Sequence, residues 1–580
     1  MKFNKQLNHT ASHLLAAAVI KLFPDVKLGF GPATSEGFYY DFSFSSPISV
    51  TDLTKIEKMM HKLASGGYKM QQSFGENYNF NDKPFKKELY NEIINRGETA
   101  TFYSLLNPSN NQILFEDLCV GSHVENVSQL KHFKLISLAG AYWRGKSENE
   151  QLTRIYGTAW ETKDELEEFL NILNERKERD HRKIGKDLNI FTFSDYFGQG
   201  FPVWLPNGMK IKNAIRDLVL KIDKKYGFNE VLTPHFGAKK LYETSGHLEH
   251  YKDDMFKPIE VENEELIARP MTCPHHIILF DKTKKSYNEL PIRYSEQSRL
   301  YRYEKSGALT GLERVRAMDL TEGHVFVRKN QIINEFKHLY TMIKEIIDLF
   351  QIEINYVSFS KRDPKNKDKF YDDDEMWNQA ENDLESVLKD LNIKYEEKIG
   401  EAAFYGPKID FQIKTVLNHE ITLSTLQLDF LLPRKFNISF INSENKKETP
   451  ILIHRGLIGT YERFVSILLE QTKGNLPFWL SPKQLVVIPI DIEKHLEYAQ
   501  QIYQKLFELD FNVQIDLKNE RINKKIREAQ ISKTKYQIIV GDVEVNKKLI
   551  SYRKYGESKT YISTFEKFLS KIDNKRKEYK

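Results

Sequence analysis

Cysteine is scarce in this chain: only Cys119 and Cys273 occur among 580 residues. Two thiols are too few for a disulfide framework, which excludes the small secreted scaffolds and fits a reducing cytoplasm. Long apolar runs are missing as well, so no segment approaches the ~20 residues that a membrane-spanning helix requires. Residues 14–20 (LLAAAVI), preceded by Lys2 and Lys5, imitate a signal peptide. His9, His13 and Lys21 interrupt that pattern, and Pro24 and Asp25 follow without a small-residue cleavage site. A dominant charge sign is also lacking. Lys+Arg 86 against Asp+Glu 81 leaves +5, so any surface for nucleic acid must be local. Apolar residues are plentiful: the 40% hydrophobic content supplies several cores, and the length corresponds to roughly three to five domains.

The most informative stretch is residues 293–326, RYSEQSRLYRYEKSGALTGLERVRAMDLTEGHVF. Arg293, Arg299, Arg302, Arg314 and Arg316 are predicted on two strands flanking a turn that contains Ser306, Gly307 and Gly311. Tyr301 and Tyr303 alternate with Arg302 and Glu304, the period of a sheet with one chemically active face. Guanidinium groups are planar, permanently charged donors that match phosphate oxygens. A solvated basic hairpin would account for any one of these arginines. It accounts less well for the interspersed Glu304 and Glu313, or for a second segment at residues 456–464, GLIGTYERF. There a glycine-broken strand end starts a helix bearing Glu462 and Arg463.

At the amino-terminal end, residues 7–23 read as an amphipathic helix with Leu14, Leu15, Val19 and Leu22 on its apolar side. His9 and His13 share one of its faces. A second cluster, DLCVGSH at residues 117–123, adds Cys119 and His123. An H-x3-H with a C-x3-H is a four-ligand zinc set by residue type, and equally a set of bases and donors that can position a water against an ester. Residues 140–147, GAYWRGKS, satisfy the G-x4-G-K-S pattern of a phosphate-binding loop. That loop needs close backbone approach and a helix starting at the lysine. Tyr142, Trp143 and Arg144 are too bulky for it and the following residues make a poor helix, so a nucleotide role is rejected. Residues 160–187, dense in Glu, Lys and Arg with Leu166, Phe169, Leu170 and Leu173 at helical spacing, read as a half-exposed connecting helix. Beyond residue 481, strand and helix patterns alternate: residues 485–488, 494–509, 512–517, 522–529 and 537–540. They argue for a small α/β domain whose Arg521, Lys524, Lys525 and Arg527 gather positive charge suited to a phosphate backbone.

Residues 293–326 and 456–464 resemble motifs 2 and 3 of the class II aminoacyl-tRNA synthetases, and residues 226–234 resemble motif 1, which builds the dimer interface in that class. From His9 to Arg553 the chain resembles the threonyl branch. The resemblance implies an α+β multidomain fold: an α+β editing domain (1–158), a helical connector (159–190), an antiparallel-sheet catalytic domain (191–480) and a carboxy-terminal α/β anticodon-binding domain (481–580). It implies a form without the small ubiquitin-like amino-terminal domain. The expected activity is ATP-dependent ligation of L-threonine to tRNA(Thr) through threonyl-adenylate, with hydrolysis of mischarged seryl-tRNA, by a cytoplasmic homodimer. Carried over by position, Arg302 meets the α-phosphate of ATP, Glu304 the adenine, Arg314 the outer phosphates and Arg463 the γ-phosphate, with Mg2+ accompanying ATP. Tyr405, Lys408 and Gln427 line the pocket. Cys273, His324 and His454 match three zinc ligands that leave room for substrate. Such a centre separates threonine from isosteric valine, which lacks the hydroxyl, whereas serine keeps it and requires editing. The expected editing residues are His9, His13, Lys86, Asp117, Cys119 and His123, working by water activation rather than zinc. Asn519, Arg527, Glu544 and Arg553 are expected to read anticodon bases. His275, Leu320, Thr422, Leu423 and Ser424 depart from the family pattern. The competing readings are another class IIa synthetase, or a synthetase-derived RNA-binding regulator that would have lost Arg302 or Arg463.

Overall fold

The computed structural model describes residues 2–74, 78–146 and 148–578. It divides into two compact units, Met1–Glu175 and Arg176–Lys580. The division falls inside the helix Lys163–Arg179. Among the described residues no helix is long and apolar enough to cross a membrane.

The first unit is built on the helix Lys5–Leu22, started by Asn4, whose side chain accepts the Leu7 N–H. Leu14, Leu15 and Val19 of this helix are fully buried against Phe38, Tyr40, Phe42 and Ile56. Each large apolar side chain so buried contributes ~1.5–3 kcal/mol. The cover is a four-stranded sheet in the order Lys27–Leu28, Phe38–Ser43, Gln151–Trp160, His132–Tyr142. A three-stranded sheet of Lys69–Ser73, Phe102–Leu106 and Ile113–Leu118 carries Asp117 at its end. The would-be phosphate loop lies on the strand His132–Tyr142 and a single turn, Trp143–Gly145, with Trp143 buried. Its last residue, Ser147, lies outside the described residues.

In the second unit an eight-stranded sheet runs in the order Asn229–Glu230, Ile292–Tyr301, Ala317–Val327, Ile451–Thr460, Glu420–Asp429, Lys408–Lys414, Tyr356–Lys361, Tyr395–Ile399. Its central pairings are antiparallel. The helices Pro206–Lys225, Ile332–Leu349 and Asp374–Asp390 bury their apolar sides in one core with this sheet, including Ile211, Ile215, Phe336, Leu339 and Trp377. The carboxy-terminal part has a five-stranded sheet in the order Val513–Ile515, Leu485–Pro489, Tyr536–Val540, Leu549–Lys554, Thr560–Thr564. Its first three strands are parallel, Leu549–Lys554 runs against them, and Thr560–Thr564 is antiparallel to Leu549–Lys554. Leu485–Pro489 is buried throughout, as a continuous apolar run covered on both faces should be.

Two sequence expectations are corrected. The connector is not one helix: it breaks at Asp180, whose side chain caps a second helix, His181–Asp187, with His181, Ile184 and Gly185 buried. Of the arginines expected on strands, only Arg293 and Arg299 are there. Arg302, Arg314 and Arg316 lie in the loop between the two strands. The neck of that loop is tied by Arg302 N–H to Arg316 O at 2.9 Å.

Candidate active site and its companions

Register brings distant residues into one row. His324 pairs with Tyr294 on one side and His454 on the other. His454 pairs with Gln427, and Gln427 with Lys408. Directly paired residues project from the same face of a sheet, so His324, His454, Gln427 and Lys408 form a continuous floor. Cys273 joins them as the first residue of the helix Cys273–Asp281. The ligating atoms of Cys273, His324 and His454 all lie within 4.8 Å of one another, and all three residues are buried.

The nitrogens of the two histidines divide by function. His454 Nε2 lies 2.8 Å from Asp429 Oδ2, and His324 Nδ1 lies 2.9 Å from His276 Nδ1. His276 is held in turn by Glu296 at 3.1 Å, and Glu296 by Arg269 at 2.8 Å. That leaves His324 Nε2 and His454 Nδ1 facing each other at 3.0 Å. An outer set of partners that fixes each ring and turns its second nitrogen inward is the arrangement metal-binding histidines have. The residues therefore fit a divalent metal. Burial keeps His324 well below the ordinary histidine range and raises the Cys273 thiol. Sequence reasoning missed His276, Glu296 and Asp429, because nothing in their spacing links them to the trio.

Tyr405 stacks on His454 with ring centroids 4.9 Å apart, and its hydroxyl donates to Gln427 Oε1 at 2.6 Å. Gly406 makes this approach possible, since a Cβ there would sit 1.7 Å from the Leu428 carbonyl oxygen. Lys408 is paired with Asp410 at 2.6 Å.

The arginines gather beside this floor. Arg302 Nε donates to Pro270 O at 3.2 Å, three residues before Cys273. Arg463 lies in the first turn of the helix Tyr461–Thr472, where the Thr460 side chain accepts its N–H at 3.2 Å, and its Nε donates to Glu313 O at 3.1 Å. Burial, and next the neighbouring Arg302, lower the Arg463 pKa from its ordinary value. Arg314 is exposed and pairs with Glu304 at 2.8 Å. Arg302, Arg314 and Arg463 thus hold like charges close together, an arrangement that a bound anion would relieve. Glu462, fully buried, accepts the Asp319 N–H at 2.9 Å, and burial with Asp319 raises its carboxyl to about 7. Arg293 and Arg299 are engaged with Glu335 and Asp319.

In the first unit, His9, His13, Cys119 and His123 form a second cluster with ligating atoms within 4.8 Å. Cys119 Sγ is 3.4 Å from His9 Nε2 and 3.2 Å from His123 Nε2. Lys86 and Asp117, both buried, pair at 2.6 Å, and the Tyr40 hydroxyl donates to the other Asp117 oxygen at 2.5 Å. Burial, then the neighbouring histidines, hold His123 at about 2, and burial also lowers His9 and His13. Burial pushes the Cys119 thiol up to about 11. The cluster is thus a set of neutral imidazoles around a protonated thiol, which argues against a thiolate nucleophile and leaves the less buried His9 as the best placed base.

In the carboxy-terminal part, Asn519 and Arg527 are exposed. Arg553 Nε donates to Thr560 Oγ1 at 3.0 Å. Glu544 is buried and accepts from Gly541 N–H and from the Ser551 hydroxyl. The basic helix is less basic than its sequence: Lys525 is buried on carbonyls of Asp516 and Pro489, and Lys524 is paired with Glu520.

The comparisons with known proteins agree with this layout. Residues 256–472 match the "tRNA synthetase class II core domain (G, H, P, S and T)", residues 484–575 the "Anticodon binding domain", and residues 101–156 the "Threonyl and Alanyl tRNA synthetase second additional domain". These matches define a class II aminoacyl-tRNA synthetase with an editing domain. The threonine–tRNA ligase of Mycoplasmopsis pulmonis is 60% identical over 99% of this chain and 97% of its own. That of Ureaplasma parvum is 47% identical over 99% of each chain. The solved RNA-binding domain of threonyl-tRNA synthetase from Cryptosporidium parvum covers 68% of this chain and 98% of its own, at 34% identity and a TM-score of 0.65. The chain belongs to the threonine–tRNA ligase family.

Proposed function

We infer that this enzyme ligates L-threonine to tRNA(Thr) in two steps, adenylate formation and transfer to the terminal ribose, and hydrolyses mischarged seryl-tRNA. The observation that carries the reading is the row His324, His454, Gln427, Lys408, closed by Cys273 and flanked by Arg302. Whole-chain relatives named threonine–tRNA ligase support it. The other class IIa synthetases are not favoured by those relatives, and a regulator that lost its chemistry is not favoured while Arg302 and Arg463 are in place.

Cys273, His324 and His454 would hold a zinc ion, which supplies a Lewis-acid contact for the threonine amine and hydroxyl. Tyr405 and Gln427 orient the amino acid beside it. Arg302 holds the α-phosphate of Mg2+–ATP, Arg463 and Arg314 the outer phosphates, and Glu304 the adenine, so that negative charge spreading during in-line attack by the carboxylate meets fixed cations. No side-chain nucleophile is required. In the first unit, His9, the least buried of the three histidines, accepts the one proton released by the water that attacks the seryl ester, while His13, His123, Lys86, Asp117 and Cys119 position water and substrate. Asn519, Arg527, Glu544 and Arg553 read the anticodon, with Glu544 first released from its contact with Ser551. We assign residues 1–158 to editing, 159–190 to the connector, 191–480 to activation and 481–580 to tRNA reading. We place the enzyme in the cytoplasm as a homodimer joined through residues 226–234, where Leu232 is exposed. Threonine-dependent ATP–pyrophosphate exchange tests the reading; exchange driven by proline, serine or histidine and not by threonine would overturn it.

A further inference from the structure

The connector reads in sequence as a solvated charge run, yet it contains a histidine that charge patterning does not explain. His181 and Glu470 have side-chain exposures of only 1% and 2%, with His181 Nδ1 2.7 Å from Glu470 Oε1. The other ring nitrogen, Nε2, accepts the backbone N–H of Leu312 at 3.0 Å. A nitrogen that accepts carries no proton, so the ring proton sits on Nδ1 and is donated to Glu470.

Leu312 belongs to the loop between the motif 2 strands. The carbonyl of the next residue, Glu313, accepts from Arg463 Nε at 3.1 Å. Arg463 and Glu470 are two turns apart on the helix Tyr461–Thr472 and share a face. One helix therefore grips the loop at two successive residues, directly through Arg463 and indirectly through His181. Gly311 leaves room for the imidazole: its φ is +48°, and a Cβ there would meet His181 Nε2 at 2.2 Å. Arg179 braces the same helix end, donating to the carbonyls of Glu470 at 3.2 Å and Gln471 at 3.0 Å.

We propose that His181 is a positioning residue for the nucleotide site, holding Leu312 so that Glu313 and Arg314 stay in register with Arg463. The proposal rests on the phosphate roles given above to Arg314 and Arg463. A buried backbone N–H is costly to leave without an acceptor. When the imidazole is lost, the loop leaves its position rather than keep that N–H unpaired, and ATP binding weakens while threonine binding does not.

Two substitutions separate the two arms of the ring. In His181→Asn the amide nitrogen falls near Nδ1 and keeps Glu470, but Leu312 loses its acceptor. In His181→Gln the amide oxygen reaches the place of Nε2 and restores it. In threonine-dependent exchange by the full-length protein, His181→Asn is expected to raise KM for ATP about tenfold or more, and His181→Gln to return it to within about threefold of wild type. KM for threonine and the rate of seryl-tRNA hydrolysis should be unchanged in both. An unaltered KM for ATP in His181→Asn overturns the proposal, as does a parallel rise of both KM values with a lowered Tm, the mark of a general packing defect. Should His181→Asn not fold, Gly311→Ala, whose Cβ would meet His181 Nε2 at 2.2 Å, should raise KM for ATP and leave KM for threonine unchanged; an unaltered KM for ATP in that variant overturns the proposal. A wild-type protein without threonine-dependent exchange would instead bring down the functional reading, and this proposal with it.

Discussion

Asp429→Asn tests the proposed zinc site at its support. Asp429 is fully buried. Its Oδ1 accepts the N–H groups of Leu431 and Leu432, both at 2.9 Å, and its Oδ2 faces His454 Nε2 at 2.8 Å. A carboxylate only accepts, so His454 carries its proton on Nε2 and keeps a lone pair on Nδ1. In the asparagine variant the side-chain oxygen stays with the two N–H groups, and the amide NH2 is turned towards His454. That group donates, so the imidazole must accept at Nε2 and move its proton to Nδ1, the atom that faces His324 Nε2 at 3.0 Å. Disturbing such a support typically costs 10–100-fold in metal affinity, or about 1.4–2.7 kcal/mol. Competition against a chromophoric chelator reads zinc affinity directly, with circular dichroism to verify folding. KM for threonine should rise while KM for ATP holds. A folded variant that binds zinc within about twofold of wild type would refute the reasoning.

Further predictions concern both units. Arg463→Ala should lower threonine-dependent exchange by about 10²–10³-fold, as removal of one fixed donor from a developing anion does; a smaller loss would remove it from the phosphate site. Lys86→Met leaves Asp117 buried without its cation, a change of about 3–5 kcal/mol. Seryl-tRNA hydrolysis should disappear and exchange persist, and retained hydrolysis would contradict the role given to the pair. His13 lies well below the ordinary range and His123 at about 2, both chiefly by burial. The unfolded chain takes up protons below about pH 6.5 that the folded unit refuses. Stability of the first unit is therefore full above that pH and falls as pH drops through it, by up to about 1.4 kcal/mol per unit for each histidine. Urea midpoints at pH 7.5 and 5.5 measure this, and equal midpoints would contradict it.

The parts legible in the sequence were those with local signals. The buried strand of residues 485–488 could be read from its unbroken apolar run; the helix of residues 7–23 was found too, but it is buried on every side from Thr10 to Val19 instead of along one apolar face. The approximate strand pair of motif 2 was readable from its alternation, but its loop was misplaced. Arg302, Arg314 and Arg316 look like strand residues when only the alternation is counted, and nothing local says that the ladder ends at Tyr301. The connector misled for a related reason. Charge density describes residues 163–179 well and hides the break at Asp180, after which His181 turns inward. Lys525 sits on a basic helix whose buried face can be recognised only once Asp516 and Pro489 are placed. The meeting of His324 with His454, and of both with Cys273, was reachable from family resemblance alone, because sheet register is a long-range property that spacing does not encode.

The most direct measurement is charging of tRNA(Thr) with labelled threonine and labelled serine by the intact enzyme, by Cys273→Ala and by His13→Ala. Threonyl-tRNA should accumulate and seryl-tRNA should not with the intact enzyme. Threonine charging should collapse in Cys273→Ala, and seryl-tRNA should build up in His13→Ala. Stable seryl-tRNA from the intact enzyme, or undiminished threonine charging by Cys273→Ala, would contradict the account.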